Sequence, residues 1–461
     1  MAVLQVLLVL SVIGFWGAVL SLGYLQVGDS HIHSEDGVYR LPPAGWVLVA
    51  LSGLGLIASG WYPLASTCVV LACSAFVHRY LPHYEVFLRS GIMEWATAFG
   101  MMGMVRSRVK GSTRYQLPKW GLVGWLLVAL VSWSLLVSLA AWFRDPDGQV
   151  LLKTLPRHGL VLLGQFVLVA SCLRSREDWL LLTVVVGIAL VCRILAWPES
   201  IELSSDLSIR LALALPLLLS LLALVPPWVW TILLPWSFWF CWVLLSTKNR
   251  ASLVGIFAAG ASGWLFARPR KIWLCLCLSA AAVLGGAIVV SPAWSRFSDL
   301  WEHGRARGTA EQRLDIWDVT LREVPANWLT GVGIGRSVYL LEREYPELGG
   351  LEVHNSYLAM LLETGVVGLG LYVALLLAAI GRLVRLAGRW EQRWRNWACW
   401  ATGCVLIAYC AIGCFIGRQS LPLPFALMGL AGRDPGGSSA WQGISCADGD
   451  RPQFPPTLPQ R

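Results

Sequence analysis

The chain has 461 residues, of which 56% are hydrophobic and only 14% charged, and its mean hydropathy is +0.62. Soluble domains carry about 25% charged residues, so this composition excludes a soluble globular protein. The net charge of +9 raises nucleic acid as a partner. However, Lys and Arg fall in short loops between apolar runs and not on one continuous face, so they read as a topology signal and no nucleic acid is expected.

The first apolar run, residues 3–25, is about as long as the ~20 residues that span a bilayer. It lacks a positive n-region and a small-residue cleavage site and is read as a retained helix. Further runs follow at 45–60, 62–79, 91–105, 120–142, 158–173, 179–197, 209–225, 228–246, 251–267, 272–291, 354–380 and 396–416. The stretch 420–432, interrupted by Pro422 and Pro424, reads as a broken last helix. The expected fold class is an all-α polytopic membrane protein with about 12 transmembrane helices, within a range of 11 to 14, and one large loop. Eleven of the 12 cysteines lie inside apolar runs, with neither a disulfide framework nor zinc spacing, so the cysteines themselves suggest no metal site and no bound cofactor.

Orientation follows from the bias of positive residues toward cytoplasmic loops. Arg106, Arg108, Lys110, Arg114 and Lys119 share one short loop without an acid. Arg174 with Arg176, Arg268 with Arg270 and Lys271, and the series Arg382, Arg385, Arg389, Arg393 and Arg395 mark the same side. By alternation the segments holding Asp29, Glu35 and Asp36, then Glu199, Glu202 and Asp206, and the long 292–353 loop face the periplasm of a bacterial inner membrane. The chain then divides into N-terminal transmembrane helices over 1–291, the periplasmic loop over 292–353, C-terminal transmembrane helices over 354–432, and a Gly, Ser and Pro-rich tail over 433–461 expected to be disordered.

The long loop is patterned. Asp315, Trp317, Leu321 and Val324 recur at near-helical spacing until Pro325 stops the run, and Gly331-Val-Gly-Ile-Gly335 supplies a flexible turn. Short amphipathic helices over the membrane mouth are expected.

Chemistry is expected where the loop meets the next helix, at His354-Asn355-Ser356-Tyr357-Leu358. Read plainly this is a helix start, with Asn355 or Ser356 as N-cap and His354 a solvated interfacial residue. Arginines beside apolar segments are the second feature, because a guanidinium near hydrocarbon costs at least ~2.5 kcal/mol unless it snorkels or is paired. Arg210 and Arg250 fall at periplasmic helix ends, where snorkelling alone accounts for either one. Arg313 has Glu311 and Asp318 within reach as surface partners. Together, several arginines and one histidine gather on one side of the membrane. Guanidinium forks grip phosphate oxygens in pairs without losing charge, and a histidine can serve as general base there. The sequence has no Asp-x-Asp pair on a periplasmic loop and no Walker loop.

The series Arg313-Leu-Asp-Ile-Trp317, Gly331-Val-Gly-Ile-Gly335, His354-Asn-Ser-Tyr-Leu358 and Glu363-Thr-Gly365-Val-Val-Gly368 resembles the signature of the O-antigen ligase and polymerase superfamily over roughly residues 245–380. Within it the chain is most similar to the pilin oligosaccharyltransferases of type IV pili. The resemblance implies a donor, undecaprenyl pyrophosphate carrying an O-antigen repeat, and transfer of that glycan to a pilin hydroxyl on the periplasmic face. It also implies His354 as catalytic residue, Arg250, Arg313 and Arg210 on the pyrophosphate, and Asn355 beside them. Neither metal nor ATP is implied, because the pyrophosphate is already activated. A ligase acting on lipid A core or a glycan polymerase would share this chemistry. A lipid-linked glycan flippase would need coupling residues near the bilayer midplane, for which Glu94 and Arg193 are the main candidates. The tail after Arg433 departs from the family pattern.

Overall fold

The computed structural model describes residues 62–76, 92–110, 120–144, 159, 161–196, 205–247, 249–266, 309–345, 352–389, 392–417 and 421–432. The expected helices at 3–25, 45–60 and 272–291 and the tail over 433–461 lie outside these residues, as does most of the first part of the long loop.

The described residues are helical and contain no strand. In chain order the helices are α1 Pro63–Phe76, α2 Ile92–Val109, α3 Leu122–Arg144, α4 Leu162–Cys172, α5 Arg176–Ala196, α6 Ser205–Leu222, α7 Trp230–Ser246, α8 Arg250–Ser262, α9 Thr309–Asn327, α10 Ser337–Glu344, α11 Ser356–Leu386, α12 Arg393–Gly413 and α13 Pro422–Ala431. Four stretches are long and apolar enough to cross a membrane: Leu122–Phe143, Pro227–Ser246, Ser356–Leu386 and Arg393–Gly413. Helices that satisfy every backbone group internally are the form an apolar chain can take in lipid. Large side chains on α3 and α7, among them Trp125, Phe143, Phe238 and Trp242, point outward, as lipid-facing residues do.

Antiparallel neighbours define two ends of the bundle. At one end, Arg193 in the last turn of α5 meets Asp206 in the first turn of α6 at 3.1 Å, and Ser252 in the first turn of α8 donates to Ser208 of α6 at 2.9 Å. Helix α8 runs antiparallel to α12, since Gly255 lies against Ile412 while Gly403 lies against Phe266 just past α8. The last turn of α12 therefore shares this end. At the other end, Arg174, Arg176 and Arg393 line one cavity of about 650 Å³, and Arg176 donates to the carbonyl of Leu224 beyond α6. Three arginines that the sequence assigns to one side of the membrane thus do share one side of the fold.

Three sequence expectations change. The run 91–105 becomes an 18-residue helix that carries Arg106 and Arg108 in its last turn. Pro325 does not end α9, which continues to Asn327. A proline this close to a helix terminus removes only a final-turn bond, a small loss beside the packing of the helix. The stretch 420–432 holds a ten-residue helix, α13, too short at ~1.5 Å per residue to cross a ~30 Å core. It is buried almost throughout and packs on α4, where protein instead of lipid covers its ends.

The largest difference lies in α11. Apolar periodicity over 354–380 reads as one crossing helix, yet Gly365 has φ 69° and ψ −175°, and the chain folds sharply there. Tyr357 and Tyr372 would be ~22 Å apart along a straight helix. Their ring centroids are 6.0 Å apart. Residues 356–364 therefore double back along the first turns of 366–386 as a short arm.

Candidate active site

The arm is pinned from two directions. Asn355 caps its start: Oδ1 accepts from the backbone N–H groups of Tyr357 (2.9 Å) and Leu358 (3.1 Å). The Asn355 amide also donates to the carbonyl of Cys414 at 3.1 Å, Ser356 donates to the carbonyl of Ile416 at 2.7 Å, and Tyr357 donates to that of Cys410 at 3.0 Å. Cys410 lies in the last turn of α12 and Cys414 and Ile416 just follow it, where the helix end leaves carbonyls without helical partners. They hold the start of the arm, and with it His354, at the end of the bundle that carries Arg210 and Arg250.

The far end of the arm is clamped by the glycine turn. Val332 and Gly333 donate to the carbonyls of Leu362 and Glu363 at 2.9 Å each, and Val366 donates to that of Trp328 at 2.8 Å. The fit requires glycine twice. A Cβ on Gly331 (φ +70°) would come within 2.3 Å of Glu363 backbone, and one on Gly365 (φ +69°) within 2.1 Å of the Leu329 carbonyl oxygen. Helix α3 closes the third side, where Trp133 donates to the Thr364 carbonyl at 2.8 Å, Ser138 accepts from Ile334 N–H, and Arg336 donates to the Ala141 carbonyl. Sequence motifs some thirty residues apart thus form one assembly.

Sequence reasoning quoted Glu363 within the Glu363-Thr-Gly365 motif but gave it no role at the site. Its carboxylate is 3% exposed and accepts from Ser337 Oγ at 2.6 Å. A lone acid inside an apolar run is the signal that points to it, since such a group persists only when its site satisfies it.

His354 stands at the mouth of the arm, half-buried, with φ 51°, and is the one non-glycine residue with positive φ among the described residues. A side chain in this conformation costs about 1–2 kcal/mol, and such strain clusters at functional positions. The carbonyl just before it, on Val353, accepts from Trp317 Nε1 at 2.9 Å, and Ile316, Leu341, Val353 and Ala359 bury one another beneath. Arg313 precedes Trp317 by one helical turn on the same face of α9. It is half-buried and makes no hydrogen bond or ion pair among the described residues. Burial lowers the Arg313 pKa below the usual range, although a guanidinium stays charged. Of its two expected partners, Asp318 pairs with Arg322 instead, and the side chain of Glu311 lies outside the described residues.

Arg250 opens α8, half-buried, directly after Asn249, which caps that helix through the N–H groups of Ala251 and Ser252. Arg210 is placed differently from Arg313. Its Nε and Nη2 donate to Asp206 at 3.0 and 3.3 Å, and Nη1 donates to Ser74 at 3.0 Å. Asp206 also holds Arg193, so two guanidiniums share one carboxylate in a region where the three side chains are 4–16% exposed. Arg193 is thus part of a buried cluster at this end of the bundle. Among the described residues no group of three His, Cys, Asp or Glu side chains is gathered closely enough to hold a metal ion.

The arrangement offers a desolvated cation, a second arginine at a helix start and a strained imidazole on one side of the bundle, which suits an anionic leaving group beside a site of proton transfer. No curated protein matches the chain. Residues 236–373, which include Arg250, Arg313, His354 and the folded arm, match the family described as O-antigen ligase, and this match supports membership of that superfamily and glycosyl transfer of the O-antigen ligase and polymerase kind.

Proposed function

We propose that the chain is an oligosaccharyltransferase that moves an O-antigen repeat from undecaprenyl pyrophosphate to a hydroxyl of type IV pilin at the periplasmic face of the inner membrane. The observation that carries this reading is Arg313: a half-buried guanidinium without an ionic partner among the described residues, held one helical turn from the bond that fixes the backbone before His354. Leaving a cation desolvated and unpaired is costly, and a pyrophosphate offsets that cost when it binds.

In the proposed reaction the acceptor hydroxyl oxygen attacks the anomeric carbon of the first sugar. A new carbon–oxygen bond forms there as the bond to the pyrophosphate oxygen breaks. His354 takes the hydroxyl proton, and the bond electrons leave with the pyrophosphate, whose growing charge Arg313 and Arg250 stabilise. Asn355 shapes the site by capping the arm, and Arg210 contributes to its field from within the Asp206 cluster. The donor already carries an activated anomeric centre, so the proposed reaction requires neither metal nor ATP.

Purified full-length protein, supplied in detergent with lipid-linked glycan and pilin, should yield pilin heavier by the mass of the glycan. Transfer without a membrane gradient would separate this reading from a flippase. In cells lacking the protein, loss of the pilin glycan with a normal lipopolysaccharide ladder is expected. A changed ladder with normal pilin would overturn the pilin assignment in favour of a ligase or polymerase.

A further inference from the structure

A second cavity, of about 530 Å³, lies beyond the glycine turn, between α3 on one side and α9 and α10 on the other. Its floor is Gly331 and Val332, the residues clamped to the far end of the arm that begins after His354. The arm has nine residues from 356 to 364, about 13 Å of helix, so the cavity stands one oligosaccharide length from His354.

The lining has a definite character. On one wall α3 contributes apolar side chains and the indole of Trp133. On the other stand Glu323, Asn327, Arg336, Tyr339 and the Arg343–Glu344 pair. Two guanidiniums face two carboxylates, so the lining charge balances, which disfavours a pyrophosphate or any other strongly anionic ligand. Carboxylate, amide and guanidinium groups are planar and multidentate, and they match neighbouring hydroxyls on a sugar ring. The apolar wall and the aromatic rings suit the C–H face of that ring. Some of the polar groups are held in advance. Glu323 accepts from Tyr345 at 3.1 Å, and the amide of Asn327 donates to the Glu323 carbonyl at 3.2 Å, leaving its side-chain oxygen for a ligand. Tyr339 is exposed and its hydroxyl has no hydrogen bond among the described residues.

We infer that this cleft is a carbohydrate subsite that takes the distal sugars of the glycan while its first sugar stands at His354. The inference rests on the glycan-transfer reading and extends it: the chain selects its donor by the sugars beyond the first, and the selection is made by α3, α9 and α10.

The test compares two donors on the full-length protein: the lipid-linked oligosaccharide extracted from the source membranes, and the same material trimmed enzymatically to its first sugar. Asn327→Leu and the milder Tyr339→Phe should each lower kcat/KM for the full donor about tenfold more than for the trimmed one, as expected for one lost hydrogen bond. Equal losses with both donors, or no loss with either, overturn the subsite. A wild-type protein that transfers neither donor would count against the transferase reading, and the cleft is then read by binding. Free glycan released from the donor by mild acid should show saturation-transfer NMR signals with wild type that weaken in both variants. Absence of binding to wild type, or unchanged binding in the variants, overturns the subsite.

Discussion

Trp317 donates its indole N–H to the carbonyl of Val353 at 2.9 Å, and this bond ties the helix bearing Arg313 to the backbone immediately before His354. The proposed phosphate-binding cation and the proposed general base are thereby held in register by a residue that has no part in the proposed chemistry. Trp317→Phe keeps the ring in the Ile316, Leu341 and Val353 cluster while removing the N–H. Glycan transfer should fall about tenfold, with a loss of stability near 1 kcal/mol, the usual contribution of one hydrogen bond. Turnover equal to wild type would show that the two sites do not depend on this tie.

Backbone strain at His354 makes two substitutions diverge. His354→Ala keeps a β-carbon at φ 51°, whereas His354→Gly relieves it by about 1 kcal/mol. Both should lose 10²- to 10⁴-fold in turnover, the usual share of a general base. The alanine variant should nonetheless melt below the glycine one, since both lack the imidazole and differ only in the β-carbon. Wild-type transfer by either protein would remove His354 from the mechanism.

Arg313→Gln discharges the guanidinium that has no ionic partner among the described residues. Its thermal midpoint should stay level or rise, while transfer falls about 100-fold, as for the loss of one donor to a developing anion. Arg313→Lys should recover only part of the rate, because an ammonium lacks the guanidinium fork. A marked drop in melting temperature with unchanged kcat would mark the residue as structural.

The Asp206 cluster has the opposite expectation. Asp206→Asn leaves Arg193 and Arg210 buried without their shared anion, and breaking buried pairs in this way costs about 3–5 kcal/mol. Detergent-solubilised protein should lose its folded fraction well below the wild-type midpoint, as followed by size-exclusion fluorescence. Replacing Arg193 by Met in the same background should restore part of the loss. A fully stable Asp206→Asn protein would show that water or lipid phosphate already screens these charges.

Much of this organisation is legible in the residues themselves. Apolar runs locate the helices, clustered arginines group the bundle ends, and Asn355 precedes the arm as a cap residue should. The fold at Gly365 is not legible in this way, because Leu362, Val366 and Val367 continue the apolar pattern straight through it. A glycine inside such a run is also compatible with an unbroken membrane helix. What bends the chain is a set of distant partners: the Trp328 and Leu329 carbonyls and the indole of Trp133. Arg210 likewise resembles Arg250 as a lone basic residue near a helix start, and only tertiary placement sets it against Asp206 and Ser74.

The doubled-back arm also makes length a determinant of its own. Each residue of a helix turns the chain by about 100° and advances it ~1.5 Å. One residue inserted between 356 and 364 would swing the imidazole to another azimuth even if every contact at the Gly365 apex survived. An exposed surface loop can change length at small cost, whereas this interval acts as a ruler whose count matters more than the identity of most of its side chains.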